Sequence, residues 1–223
     1  FEGERVYDGS IFKLEEHTSR FFHSAKRMGF EIPYSEKEIN EASKKIMALK
    51  FRENLGFEDG FVTADNKAYQ FEIVKRIRKY QPDIVLCNAI DDRHPDHPHS
   101  ASLVATACFL AGLTKIETEF DGGVQSAFRP KQVLHYIQWK PIKPDFVVDI
   151  SGYMDAKLAA VKAYRSQFHD PTSSEPETLI SSKQFLDSVS YRASDLGRLI
   201  GVEYAEGFTS DKLIGLDRLD QLL

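Results

Sequence analysis

Apolar and polar positions along this chain fall into helical, strand and loop patterns whose order carries the fold. Tyr69, Ile73, Val74, Ile77 and Tyr80 recur at helical spacing, with Lys75, Arg76, Arg78 and Lys79 between them. That spacing predicts an amphipathic helix over 69–80, stopped by Gln81-Pro82-Asp83. The unbroken apolar run IVLCNAI follows at 84–90. A run of strand length without alternation predicts a strand buried on both faces, as in a parallel sheet covered by helices. After the polar stretch DDRHPDHPHS, the segment ASLVATACFLAGL predicts a further helix over about 99–113. Helix, buried strand, polar loop and helix form the unit of an open α/β sheet. Ligands of such sheets bind outside the carboxyl ends of the strands, so the polar loop after IVLCNAI is where a site is expected.

The second half repeats the theme. QVLHYIQW reads as a strand, PDFVVDI as another, and Ser151 or Asp155 as the cap of a helix containing Met154, Leu158, Val161 and Tyr164. Residues 170–177 read as a loop or lid, and 182–199 as a final helix stopped at Gly201. Nearer the beginning, 11–28 reads as a helix with Phe12, Phe22 and Met28 partly on one face, ended by Gly29 and Pro33. Ser35 and Glu38 form a capping box for a helix over about 36–49, with Ile39, Ala42, Ile46 and Leu49 at helical spacing. FRENLGFEDGFV then reads as a loop with glycines at Gly56 and Gly60.

Composition narrows the classes. A chain of 223 residues suits one α/β domain. With 42% hydrophobic residues it can bury a sizeable core, removing roughly 70% of the unfolded surface from water. A net charge of −5 gives no reason to expect nucleic acid or an anionic membrane as partner. No run approaches the roughly 20 apolar residues of a membrane span, and no signal peptide is present. Cys87 and Cys108 lie in apolar stretches and read as buried free thiols, which fits a cytoplasmic location. The first residue is Phe1, so the chain is read as a fragment, a processed product or a sequence whose start is unrecorded.

Three histidines and three aspartates fall between Asp91 and His99. Imidazole and carboxylate together suit zinc, and catalytic zinc takes three protein ligands and keeps one position for water. This loop supplies one or two, so others must come from elsewhere; on spacing alone, a solvated turn stiffened by prolines remains open. His99 reads as a helix-start residue, His135 as a hydrogen-bonded core residue, and His17, His23 and His169 as surface groups. Asp91 and Asp92 read as solvated loop carboxylates.

The sequence RHPDH after a buried strand and before a helix resembles the second signature of the LmbE-like/PIG-L de-N-acetylases. FRENLGFEDGF, KYQPDIVLCNAIDDRHPDH, FRPKQVLHYIQ, KPDFVVDIS, AYRSQF and GRLIGVEYAEGF are similar to the bacillithiol-biosynthesis deacetylase group, over about residues 36–215. The resemblance implies a Rossmann-like α/β fold, an open, mostly parallel sheet with helices on both faces. It also implies zinc-dependent hydrolysis, with another divalent metal as the alternative, of the N-acetyl group of a glucosaminyl conjugate. In that group the substrate is N-acetylglucosaminyl malate, a small amino-sugar conjugate. By the same resemblance His97 is a zinc ligand and His94 stabilises the oxyanion. Asp96 holds His94 through its ring nitrogen, Arg93 lines the substrate pocket, and the protein is a homo-oligomer, a trimer or hexamer.

One departure matters. Such proteins open with a strand and an AHPDD-type motif that supplies a histidine and an aspartate to zinc and a general base. No His-Pro-Asp precedes His94 here, and residues 1–35 do not resemble the family. The domain division is therefore 36–223 as the deacetylase-like domain, with 1–35 unassigned. The true N-terminus is unrecorded, or the chain is a catalytically silent homologue acting as a binding or assembly subunit, or residues such as Asp8, His17 and His23 rebuild the site. Taken as it stands, the chain is expected to bind zinc weakly and show little activity. No GxGxxG follows a strand and no GxSxG elbow occurs, which disfavours a dinucleotide site and a serine nucleophile.

Overall fold

The computed structural model describes residues 5–7, 10–12, 51–164, 168–171 and 176–222. The helix expected over 36–49 and most of that expected over 11–28 lie outside these residues; Ile11 and Phe12 are in a strand. The chain divides into two compact units, one of residues 1–56 and 147–207, the other of 57–146 and 208–223.

The second unit holds the stretch of chemical interest. Its first helix, α1, is Lys67–Tyr80, two residues longer at its start than the apolar spacing indicated. Asn66 explains the difference: its side chain accepts from the Tyr69 amide and caps the helix. Gln81 ends α1 in the left-handed conformation. Strand β4, Ile84–Cys87, follows; the earlier strands of the chain are β1 Arg5–Tyr7, β2 Ser10–Phe12 and β3 Phe51–Glu53. Val85 and Cys87 are buried while Ile84 is 52% exposed, so β4 alternates and is not covered evenly on both faces. Helix α2 runs Asp96–Ala111 and buries Ala101, Leu103, Val104, Ala107, Cys108 and Ala111. It packs against α1, whose Ile73, Val74 and Ile77 are buried.

Helix α2 begins three residues before the expected position. Pro95 at its N-cap already has helical dihedrals, and Pro98 lies in the first turn, where a helix needs no backbone N–H. The prolines that read as loop stiffeners thus start a helix. His99, expected to open it, is an exposed residue inside its first turn.

Beyond a small hairpin of β5, Glu119–Phe120, and β6, Gly123–Val124, strand β7 is Gln132–Tyr136. It pairs parallel with β4, Cys87 opposite His135. Strand β8 is Phe146–Asp149 and β9 is Ala205–Ser210. The sheet order is β4-β7-β9-β8, and β9 runs antiparallel to β7, Leu134 opposite Ser210. The architecture is a mixed α/β fold. The sequence reading has no strand at 205–210, because AEGFTS lacks the apolar run that marks a central strand. A buried guanidinium closes this unit at the end of α2. Arg78, 4% exposed, donates to the carbonyls of Ala111, Leu113 and Ile116 and to the Thr118 hydroxyl, at 2.6 to 3.0 Å.

In the other unit β1 pairs antiparallel with β2, and β2 pairs parallel with β3. A single three-ten turn, Ser151–Tyr153, leads into helix α3, Met154–Lys162. Helix α4, Lys183–Ile200, is capped by the Ser182 hydroxyl accepting from the Phe185 amide and ends at left-handed Gly201, as its sequence indicated. Met154, Val189 and Ala193 form the core here, with Ile150, Leu158 and Tyr204 packed around them. Gly197 lets α4 meet the following chain: a Cβ there would stand 2.7 Å from the Val202 carbonyl oxygen.

Candidate active site

The sequence places Asp91 to His97 directly after β4, and the start of α2 turns that stretch back on itself. The His97 amide donates to the His94 carbonyl at 3.0 Å, which brings the two imidazoles to a centroid separation of 5.3 Å. The turn that leads into α2 thus brings His94 and His97 together.

Asp92 lies behind the pair. Its side chain is only 2% exposed. Oδ2 accepts from the Trp139 amide at 3.0 Å, Oδ1 accepts from the His94 amide at 3.3 Å, and Oδ1 stands 3.2 Å from His97 Nδ1. This corrects the reading of Asp92 as a solvated carboxylate. A buried carboxylate must be met by donors, and two backbone amides donate to it, with the His97 ring beside it. Its neighbour Asp91 is solvated as expected, 61% exposed and paired with Lys140 at 2.6 Å. Nothing in two adjacent aspartates distinguishes them before the chain is folded, since the distinction comes from Trp139, 47 residues on.

Asp96 opens α2, where a carboxylate is favoured by the helix dipole. Its backbone N–H donates to His94 Nδ1 at 3.3 Å, and its Oδ2 accepts from the Gly60 amide at 2.6 Å. Its Oδ1 is buried with no hydrogen-bond partner among the described residues. The contact described between Asp96 and His94 therefore runs through the backbone amide, and the carboxylate holds the 58–60 turn. Gly60 takes φ +81°, a conformation suited to glycine, and that turn presents its amide. Gly60 and Trp139 are site neighbours that the sequence reading did not single out. Arg93 is exposed, and its guanidinium lies 5.2 Å from the centre of the Trp139 ring. His135 is a buried core residue, as expected, with Nε2 2.8 Å from Asp211 Oδ1. His169 lies in the described chain and His17 and His23 outside it.

The donor chemistry suits zinc only in part. With Nδ1 facing Asp92, His97 has Nε2 on the far side of its ring, the arrangement in which an outer carboxylate orients a ligating histidine. Catalytic zinc needs three protein ligands. Among the described residues no group of three histidine, cysteine, aspartate or glutamate side chains is placed to hold a metal ion. The described residues do not by themselves build a zinc centre.

Comparison with known proteins follows the same lines. Residues 18–108 match the family model described as PIG-L, GlcNAc-PI de-N-acetylase. The diacetylchitobiose deacetylase of Thermococcus kodakarensis is 30% identical over 183 residues, covering 80% of this chain and 63% of that protein. The solved structure of a conserved protein from Thermus thermophilus matches with a TM-score of 0.72 and 26% identity, over 95% of this chain and 98% of that one. A separate likeness is short: the probable branched-chain-amino-acid aminotransferase of Rickettsia typhi is 55% identical over 47 residues, 21% of this chain and 16% of that protein. The chain thus spans a small part of its aminotransferase relatives and somewhat under two thirds of the archaeal deacetylase. The chain is thus similar to PIG-L/LmbE-like deacetylases over residues 18–108 and to the archaeal deacetylase over 80% of its length, and it shares its α/β fold with the Thermus thermophilus protein.

Proposed function

We propose that the intact protein hydrolyses the N-acetyl group of a glucosaminyl conjugate, with N-acetylglucosaminyl malate as the substrate. The observation that carries this reading is the His94–His97 pair at the start of α2, outside the carboxyl end of β4, with Asp92 buried behind it. Amide hydrolysis develops negative charge on the acetyl oxygen, and a positioned imidazole stabilises that charge. His94 takes this part. His97 is the metal ligand of the proposal, and zinc, when bound, supplies the activated water. The other two ligands come from outside the described residues. Arg93, exposed and stacked near Trp139, meets the anionic malate. Cytoplasmic location and assembly as a trimer or hexamer belong to the same proposal; no helix among the described residues is long and apolar enough to cross a membrane.

A second reading has its own support. The absence of a His-Pro-Asp before His94 is the sequence feature that supports a silent homologue keeping the fold as a binding or assembly subunit. No amino-group transfer is proposed from a stretch that covers 16% of its relative.

Elemental analysis of the purified chain beside His97→Ala, followed by acetate release from N-acetylglucosaminyl malate, separates the two readings. About one zinc per chain, lost with His97, together with acetate release supports the hydrolase. Absence of zinc and of acetate release from the 223-residue chain rejects that activity for it and leaves the binding-subunit reading.

A further inference from the structure

The stretch that carries His94 and His97 leaves the sheet at Asn88, and a buried ring holds that point. His135, on β7 beside β4, is 2% exposed. Its Nδ1 stands 2.8 Å from the Asn88 carbonyl oxygen, which can only accept, and 3.2 Å from Cys87 Sγ. Its Nε2 stands 2.8 Å from Asp211 Oδ1, just beyond the end of β9. A mid-strand histidine at a parallel pair needs none of this for the ladder, whose backbone bonds are already made. The ring ties the carboxyl end of β4 to the chain leaving β9. Asn88 is itself fully buried, with its side-chain amide donating to the Tyr136 hydroxyl at 3.2 Å. Beyond it the chain is next pinned by buried groups at Asp92, through Trp139. The segment bearing the two histidines therefore springs from a point held by His135 at the Asn88 carbonyl and by Tyr136 at the Asn88 side chain.

We propose that His135 is a positioning residue for the His94–His97 segment. Its Nδ1 contact fixes the Asn88 carbonyl and so the exit of the chain from β4, while Asp211 holds the ring in that orientation. The inference rests on the deacetylase reading only for its effect on turnover; the positioning itself is a property of the fold. A displacement of about 1 Å at a reacting group costs up to a hundredfold in rate, so the exit point has leverage on chemistry it does not touch.

Three variants test it in the full chain. His135→Asn puts an amide N–H near the Nδ1 position and keeps the Asn88 contact. His135→Gln puts its amide near the Nε2 position, keeping Asp211 and losing Asn88. Asp211→Ala removes the partly exposed end of the bridge. Hydrogen exchange of backbone amides 89–97 is the first readout, beside urea unfolding and the emission of Trp139. Exchange in that segment is expected to rise about tenfold or more in His135→Gln, to stay within about threefold of wild type in His135→Asn, and to lie between them in Asp211→Ala. Where acetate release is measurable, kcat falls in the Gln variant with little change in KM, and recovers in the Asn variant. Equal exchange at 89–97 in the Gln and Asn variants overturns the proposal, whatever their global stability. Absence of acetate release in the wild type rejects the deacetylase reading and leaves the exchange result to decide this one.

Discussion

Replacing Arg78 with Met keeps most of the aliphatic stem in place and removes the guanidinium donors from the end of α2. The cost can be worked from the four acceptors. Ala111 O also accepts from the Phe128 amide and Leu113 O from the Ile116 amide, so both retain a partner. The Ile116 carbonyl and the Thr118 hydroxyl have only Arg78 among the hydrogen bonds described. Leaving a buried acceptor unpaired costs about 1–3 kcal/mol, which gives about 2–6 kcal/mol for the two. Against this, removing the buried cation removes its desolvation penalty, the same burial that lowers the pKa of Arg78. A net loss of about 2–4 kcal/mol is expected, large for one substitution in a domain of this size. Lysine, with a compact ammonium in place of the planar fork, should recover less than half of it. Urea unfolding followed by far-UV circular dichroism, with an unchanged m-value, measures the loss. A loss below about 1 kcal/mol in Arg78→Met would refute the assignment of this guanidinium as the clasp between α2 and the chain after it.

Three further outcomes follow from other contacts. Gly197→Ala sets a Cβ 2.7 Å from the Val202 carbonyl and 2.8 Å from backbone atoms of Glu203; the helix-propensity gain of about 1 kcal/mol is overridden, and the melting temperature should drop by several degrees for a loss of about 1–3 kcal/mol. Burial, with the charge of Asp211 adding, pushes the Cys108 thiol up to about 12 from an ordinary 9.0. The unfolded thiol therefore ionises first as pH rises, so its contribution to stability is whole below pH 9.0 and is lost as pH climbs through about 12; Cys108→Ala should flatten that alkaline decline in unfolding titrations, and a decline of the same slope would speak against it. Asp92→Ala leaves the amides of Trp139 and His94 without this acceptor, so the emission of the single tryptophan should shift, and acetate release, where present, should fall at least about tenfold; unchanged emission and rate would show that Asp92 does not set the site.

Much of the second unit is legible because its signals are local. Helical spacing at 69–80 and the apolar run at 84–90 predict α1 and β4 from their own residues, the strand ending at Cys87, and the topological rule then points to the polar stretch that follows. The start of α2 is misread because Pro95 and Pro98 look like loop residues until one sees that the first helical turn needs no amide donors. Asp92 and β9 escape the sequence for a different reason. The burial of Asp92 comes from Trp139, and β9 becomes a strand by pairing with β7, both contacts between residues far apart in the chain. The resemblance supplies the roles expected of His94, Asp96 and His97, while the arrangement of Asp96, carboxylate on the Gly60 amide, needs the folded turn at 58–60.

The antiparallel strand that closes this unit has a consequence in time. His135 and Asp211 are separated by 76 residues, and β9 meets β7 over a comparable interval. During synthesis the histidine pair emerges first, on a segment whose rear support does not yet exist, and it acquires that support only when β9 and Asp211 have left the ribosome. A nascent or prematurely terminated chain therefore carries the chemical groups of the site without the wall that arranges them. Long-range closure of this kind is slow compared with the local helices it completes. Competence is in this sense a late event in the life of the molecule, decided by a strand made long after the residues it serves.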